Sequence, residues 1–158
     1  MPDVVVHPEP AWRDHANFII AAQIPDSGPG NPKREQLWAR QVGDFEFEIC
    51  CIPFFLYDIA LGDKVVTSGS GDDKYLLSSV IEDSGRYVFR AWFKTTEIRD
   101  NLAEALSEIG CLLETRGPAS RLLAIDAANH ELAQRVANLL LAREQQGELH
   151  YETGRLTT

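Results

Sequence analysis

Four histidines, three cysteines and a few paired acids are the residues of this chain whose types could carry chemistry. His7, His15, His130 and His150 lie far apart, and no CxxC or HExxH pattern gathers them. Metal sites need ligands at defined spacings, and none is present. Cys50 and Cys51 are neighbours, and Cys111 makes the number odd. Adjacent residues on a strand point to opposite faces, so a bond between Cys50 and Cys51 would be strained. The three read as buried free thiols acting as small hydrophobes. Cys51 stands next to Ile52-Pro53, and apolar surroundings raise a thiol pKa and blunt its nucleophilicity. No GxSxG elbow occurs.

The Ser68-Gly69-Ser70-Gly71-Asp72-Asp73 run has the glycines of a phosphate loop. It joins two strand-like segments, however, and its two acids would repel phosphate, so it reads as a hairpin loop. Glu46 and Glu48 sit two apart on one strand face, where they suit acid–base work or a solvated acidic surface. No catalytic, metal or cofactor-binding residue is assigned, and no cofactor is expected.

The remaining concentration is aromatic. Phe54, Phe55 and Tyr57 follow Pro53 at a chain corner, with Asp58 and Asp63 flanking it. Such a corner is either a core plug or a contact patch, since aromatic residues are enriched where partners bind most tightly. With the acidic strand, the candidate partner-binding residues are Glu46, Glu48, Phe54, Phe55, Tyr57, Asp58 and Asp63.

Charge narrows the partner. The chain has 15 basic and 24 acidic residues, a net charge of −9, and no basic run. Nucleic acids and anionic membranes are held through Lys and Arg clusters, so both are disfavoured. A basic protein partner is favoured electrostatically. Met1 is followed by Pro2-Asp3 rather than by a basic region and an apolar core, and the longest apolar stretch is too short to span a bilayer. The expectation is a cytoplasmic protein.

These residues need elements to position them. Residues 1–16 read as an extended arm and 17–24 as a buried strand, followed by a Gly/Pro loop over 25–34. The spacing predicts strands over 35–40 and 45–51, the latter with Phe45, Phe47 and Ile49 on one face, then 64–67 and 75–82. From Tyr87 the rhythm changes. A strand is followed by a helix capped at Thr95 or Thr96 and ended at Gly110, with Ile98, Leu102, Leu106 and Ile109 at helical spacing. Strands over 111–115 and 121–126, a helix capped by Asn129, and a last strand over 149–153 complete a βαββαβ order.

Several stretches together resemble a bacterial family catalogued as a domain of unknown function, number 4265. They are Leu37-Trp38-Ala39, Val42-Gly43-Asp44, Ile52-Pro53-Phe54-Phe55, Leu61-Gly62-Asp63-Lys64-Val65, Ser84-Gly85, Gly110-Cys111, Leu122-Leu123-Ala124-Ile125-Asp126 and Gly147-Glu148-Leu149-His150-Tyr151-Glu152. The resemblance spans about residues 17–156. It implies a bacterial source and a two-part fold, and no activity.

The expected architecture is α+β. A small antiparallel β-barrel or curled sheet over 17–83 packs as one unit against a ferredoxin-like subdomain over 86–158, with 1–16 as an arm. The expected function is non-enzymatic: an immunity or inhibitor protein that neutralises a toxin domain. The alternatives are a small-ligand-sensing regulatory module of the ACT-like type and an enzyme of unrecognised kind. A homo-oligomer stays open.

Overall fold

A computed structural model describes residues 4–25, 28–69, 71 and 74–155. The fold is α+β, with ten strands in two sheets and two helices among the described residues. Of the loops read from sequence, Ser70, Asp72 and Asp73, and Asp26 and Ser27, lie outside the described residues.

The first sheet contains β1 (Val4–Val5), β2 (Phe18–Gln23), β3 (Arg34–Gly43), β4 (Glu46–Ile49), β5 (Lys64–Thr67) and β6 (Leu77–Glu82). Its order is β1-β3-β4-β5-β6, with β2 also paired to β3. Alternation fixes its inner face: Glu35, Leu37 and Ala39 of β3 and Phe47 and Ile49 of β4 are buried. All but Glu35 join Ile20, Ala22, Cys51, Leu56, Ile59 and Val65 in one apolar cluster. The sheet curls until β2 meets the residue before β6 in a single bridge, Ala21 to Leu76. It does not close, which removes the barrel alternative. The register between β5 and β6 is bulged at two places, between Lys64 and Val65 and between Val66 and Thr67.

The second sheet contains β7 (Tyr87–Phe93), β8 (Leu112–Thr115), β9 (Leu122–Ala127) and β10 (Leu149–Thr153) in the order β10-β7-β9-β8, all antiparallel. Helices α1 (Thr96–Glu108) and α2 (His130–Gln145) cover one face. Thr95 Oγ1 accepts from the Ile98 N–H at 3.1 Å, and Asn129 Oδ1 accepts from the Leu132 N–H at 2.8 Å. Leu102 and Leu106 of α1 and Ala133, Val136 and Leu140 of α2 bury against Phe89, Ala91, Phe93, Leu123 and Ile125. No helix among the described residues is long and apolar enough to cross a membrane.

The other face of this sheet presents Val88, Leu122 and Ala124. They pack with Val5 of the arm and with Ile52, Phe54, Ala60 and Leu61 of the chain corner. The corner is therefore the filling between the two sheets. Trp92, on the same face, stays 37% exposed.

Several sequence expectations change locally: β3 runs on to Gly43, and β4 ends at Ile49, before Cys50 and Cys51. Phe45 is not a strand residue: it occupies the turn between β3 and β4 at φ 61°. The described part of the arm, residues 4–16, is not plainly extended either. It supplies β1, paired parallel to Arg34 and Glu35, and a short 3-10 helix over Arg13–His15.

Candidate functional site

The acidic strand is less acidic in three dimensions than in sequence. Glu46 is exposed, but Glu48 is half-buried and accepts from Arg40 Nε at 3.2 Å. Across the next pair Lys64 lies opposite Glu48 and reaches Glu82 at 3.5 Å. The outer face thus alternates in sign, and such exposed pairs contribute only about 0–1 kcal/mol each.

The aromatic corner turns inward. Phe54 and Asp63 have no exposed surface, so neither meets a partner of the folded chain. The cause is backbone capture. Glu35, an acid at an inward strand position, accepts from the N–H groups of Phe54 at 2.7 Å and Phe55 at 2.9 Å and folds the corner onto the core. Asp63 accepts from the N–H groups of Ala60 at 2.9 Å and Ser84 at 2.8 Å, and Arg155 Nη2 approaches it at 3.2 Å. Phe55 is half-buried beneath the Arg116 guanidinium. Tyr57 is half-buried and donates its hydroxyl to Glu152 at 2.8 Å. Asp58 is half-buried at φ 62°.

The strongest polar constellation was not assigned from sequence. His7 Nδ1 lies 2.6 Å from Glu114 Oε1 and His7 Nε2 lies 2.7 Å from Glu35 Oε2. The ring is stacked on Phe54 at 4.3 Å. All three polar side chains are buried. Glu114 accepts further from the N–H groups of Ile52 at 2.6 Å and Ala11 at 3.0 Å. With a carboxylate on each ring nitrogen, the imidazolium is the form that donates both ways. Burial opposes that charge, but Cys51, Glu114 and Glu35 together hold the His7 pKa well above its ordinary value. The cluster ties the arm to β3 of one sheet and β8 of the other. Its signal in the sequence is Glu35, which keeps the inward phase of Leu37 and Ala39.

Two arginines tie the second sheet to the rest of the chain, Arg90 to the corner and Arg86 to the arm. Arg90, fully buried on β7, donates from Nη1 to the Leu56 carbonyl at 2.6 Å and from Nε to Glu152 at 3.1 Å, beneath the Tyr57 ring. Arg86 donates from Nε and Nη2 to both oxygens of Asp126, at 3.0 and 2.5 Å, and lies over Trp12. Beside it opens a cleft of about 560 Å³ lined by Asp83, Gly85, Arg86, Tyr87, His130, Thr153 and Arg155.

The reactive groups are muted. Burial pushes the Cys50 thiol up to about 12, with Glu48 adding to it, and Cys111 up to about 11. Burial also raises Cys51. Among the described residues no group of three or more His, Cys, Asp or Glu is placed to hold a metal ion.

The sequence model of the family described as Domain of unknown function (DUF4265) matches residues 35–151. The chain belongs to this family. The DUF4265 segment begins at Glu35 and contains the corner and Glu114, whereas His7 and Arg155 fall outside it. A solved structure, of a hypothetical protein from Neisseria gonorrhoeae, is similar in fold at 21% identity with a TM-score of 0.72, over 91% of this chain and 99% of that one. No curated protein matches the chain.

Proposed function

We propose that this DUF4265 protein acts by binding a basic protein, as an immunity or inhibitor protein that neutralises a toxin domain in the bacterial cytoplasm. The observation that carries the reading is the exposed face of α1. Glu97, Asp100, Glu104 and Glu108 all lie on it, and no basic residue stands in its last turn. Arg99, the helix's cation, is buried and directed at the carbonyls of the 117–120 turn, with Asp100 beside it. Like charges three or four residues apart oppose one another, and an acid at a helix C-terminus opposes the dipole. A helix that keeps this pattern spends stability on a negative surface, and a negative surface steers a basic partner.

In this reading the second unit is ferredoxin-like, a frame in which two helices cover one sheet face and stay open to a partner on the other side. The test is affinity purification from the native host with two variants, Glu104→Lys/Glu108→Lys and Glu46→Lys/Glu48→Lys. A stoichiometric basic partner lost in the helix variant supports α1 as part of the interface, and its loss in the strand variant as well extends the interface to β4. Recovery of no specific protein would end the inhibitor reading.

A second reading rests on the cleft beside Arg86. Its mix of Asp83, Arg86, His130 and Arg155 with the Tyr87 ring suits a small zwitterionic metabolite, as in ACT-like regulatory modules. A thermal-shift screen with amino acids and nucleotides checks it, because a ligand of the native state alone raises its melting temperature. Unchanged melting across the set would dismiss it.

A further inference from the structure

Phe45 and Tyr75 are bulky residues held in the left-handed region, at φ 61° and 68°. Glycine and asparagine take that conformation at little cost; an aromatic residue does so only when its surroundings fix it. The surroundings are explicit. The Phe45 carbonyl accepts from the Thr67 N–H at 2.9 Å, and the Tyr75 N–H donates to Ser68 while its carbonyl accepts from Ala21, both at 3.1 Å. The two strained residues come from separate turns, yet their rings meet, with centroids 5.7 Å apart and planes 28° from parallel. Phe18 packs edge-on to Tyr75 at 4.8 Å, and Phe47 closes the base at 6.0 Å. Both Phe45 and Tyr75 remain half-exposed at the rim.

A cation already lies on this pair. Lys74 Nζ stands 5.2 Å from the Tyr75 ring centre and 5.9 Å from that of Phe45. The acids Asp44 and Glu46 flank Phe45 along the chain and are exposed. A ring face attracts ammonium and guanidinium groups, and neighbouring carboxylates add to the pull. If the turns only needed closing, glycine would close both without strain. The rings are what the strained positions add.

We propose that the Phe45–Tyr75 pair is a receptor for one Lys or Arg side chain of a protein partner, and that Lys74 occupies it in the free chain. The proposal rests on the reading of this molecule as a binder of basic protein and names a contact for it. Binding displaces Lys74 from the rings, so the internal lysine competes with the partner's and sets a floor on selectivity.

The experiment titrates the full chain with an octalysine peptide while following the aromatic NMR resonances, with octaglutamate as control. Octalysine should move the Phe45 and Tyr75 ring signals. Lys74→Ala, which removes the competitor, should tighten the response about 2- to 5-fold. Phe45→Gly should abolish the response at Tyr75 while leaving the melting temperature equal or higher, since glycine relieves the turn. Rings that stay still in both the natural chain and Lys74→Ala, or shifts confined to α1, would overturn the proposal. So would Phe45→Gly binding unchanged. Ring shifts with octalysine but no partner captured from the host would sink the inhibitor reading alone. A captured partner that ignores Phe45→Gly would sink the receptor alone.

Discussion

His7 is held at both ring nitrogens by buried carboxylates, and its removal leaves Glu35 and Glu114 without their cation. Breaking a buried pair in this way costs about 3–5 kcal/mol. His7→Gln should lower the urea midpoint accordingly, and by the usual scaling of about 2–4 °C per kcal/mol its melting temperature falls by roughly 10 °C. The pH dependence has a definite sign. Burial lowers the His7 pKa, but Cys51, Glu114 and Glu35 raise it by more, so the folded value exceeds the unfolded one. The stabilisation is complete below the unfolded pKa of about 6.5 and is lost as pH rises through the folded value. As pH rises above about 6.5 the natural chain should lose stability relative to His7→Gln, as urea unfolding at each pH reports. Parallel curves would mean that His7 carries no charge. The cysteines make a second residue-scale case. With all three thiols buried and their pKa values raised, none should react with a thiol reagent at mildly alkaline pH until denaturant is added. Rapid labelling of the folded chain would contradict this. Residue types near Ile52-Pro53 announced the thiols' burial. The His7 cluster stayed hidden because 107 residues separate His7 from Glu114, and no local pattern links them.

At the scale of elements, most of the fold follows from local pattern. Of the two threonines the sequence offers, Thr95 is the cap of α1, Asn129 caps α2 as expected, and every strand from β7 onward lies within a residue of its expected span. The failures are instructive. Phe45, Phe47 and Ile49 keep a two-residue period, yet the first of them turns the chain, because periodicity carries no information about the sign of φ. The corner at 52–60 has no period at all, and whether it plugs a core or meets a partner is decided by Glu35 reaching its backbone. Gly154 offers a test at this scale. It closes the end of β10, donating to the Val88 carbonyl at 2.8 Å and accepting from the Asp58 N–H at 2.7 Å. A Cβ there would stand 2.6 Å from Val88 Cγ1 and 3.3 Å from Arg90 Nη2. Gly154→Ala should therefore destabilise by about 1–3 kcal/mol through overpacking, measured by urea unfolding. Stability equal to the natural chain would show that this junction yields freely.

For the whole molecule, the polar contacts between the sheets outnumber what either half could satisfy alone. Asp63 and Leu56 of the first half meet Arg155 and Arg90, Glu114 reaches back to Ile52, and His7 of the arm joins Glu35 to Glu114. Buried polar groups left without partners are costly. Residues 17–83 and 86–158 expressed separately should therefore fail to give dispersed NMR spectra, and the intact chain should unfold in one transition. A well-folded fragment would refute this interdependence. The division into two rhythms was visible in the sequence, but the mortar between them was not, since its residues are spread over arm, corner and C-terminal strand. The His7 to Glu114 contact also bears on how the chain is made. The arm is synthesised before the carboxylate that completes its clamp, which follows 107 residues later. At about 5–20 residues per second that is a wait of roughly 5–20 s. For that interval the arm can pair with β3 and Glu35 but lacks its second carboxylate, so the imidazole is clamped on both sides only after β8 has been made.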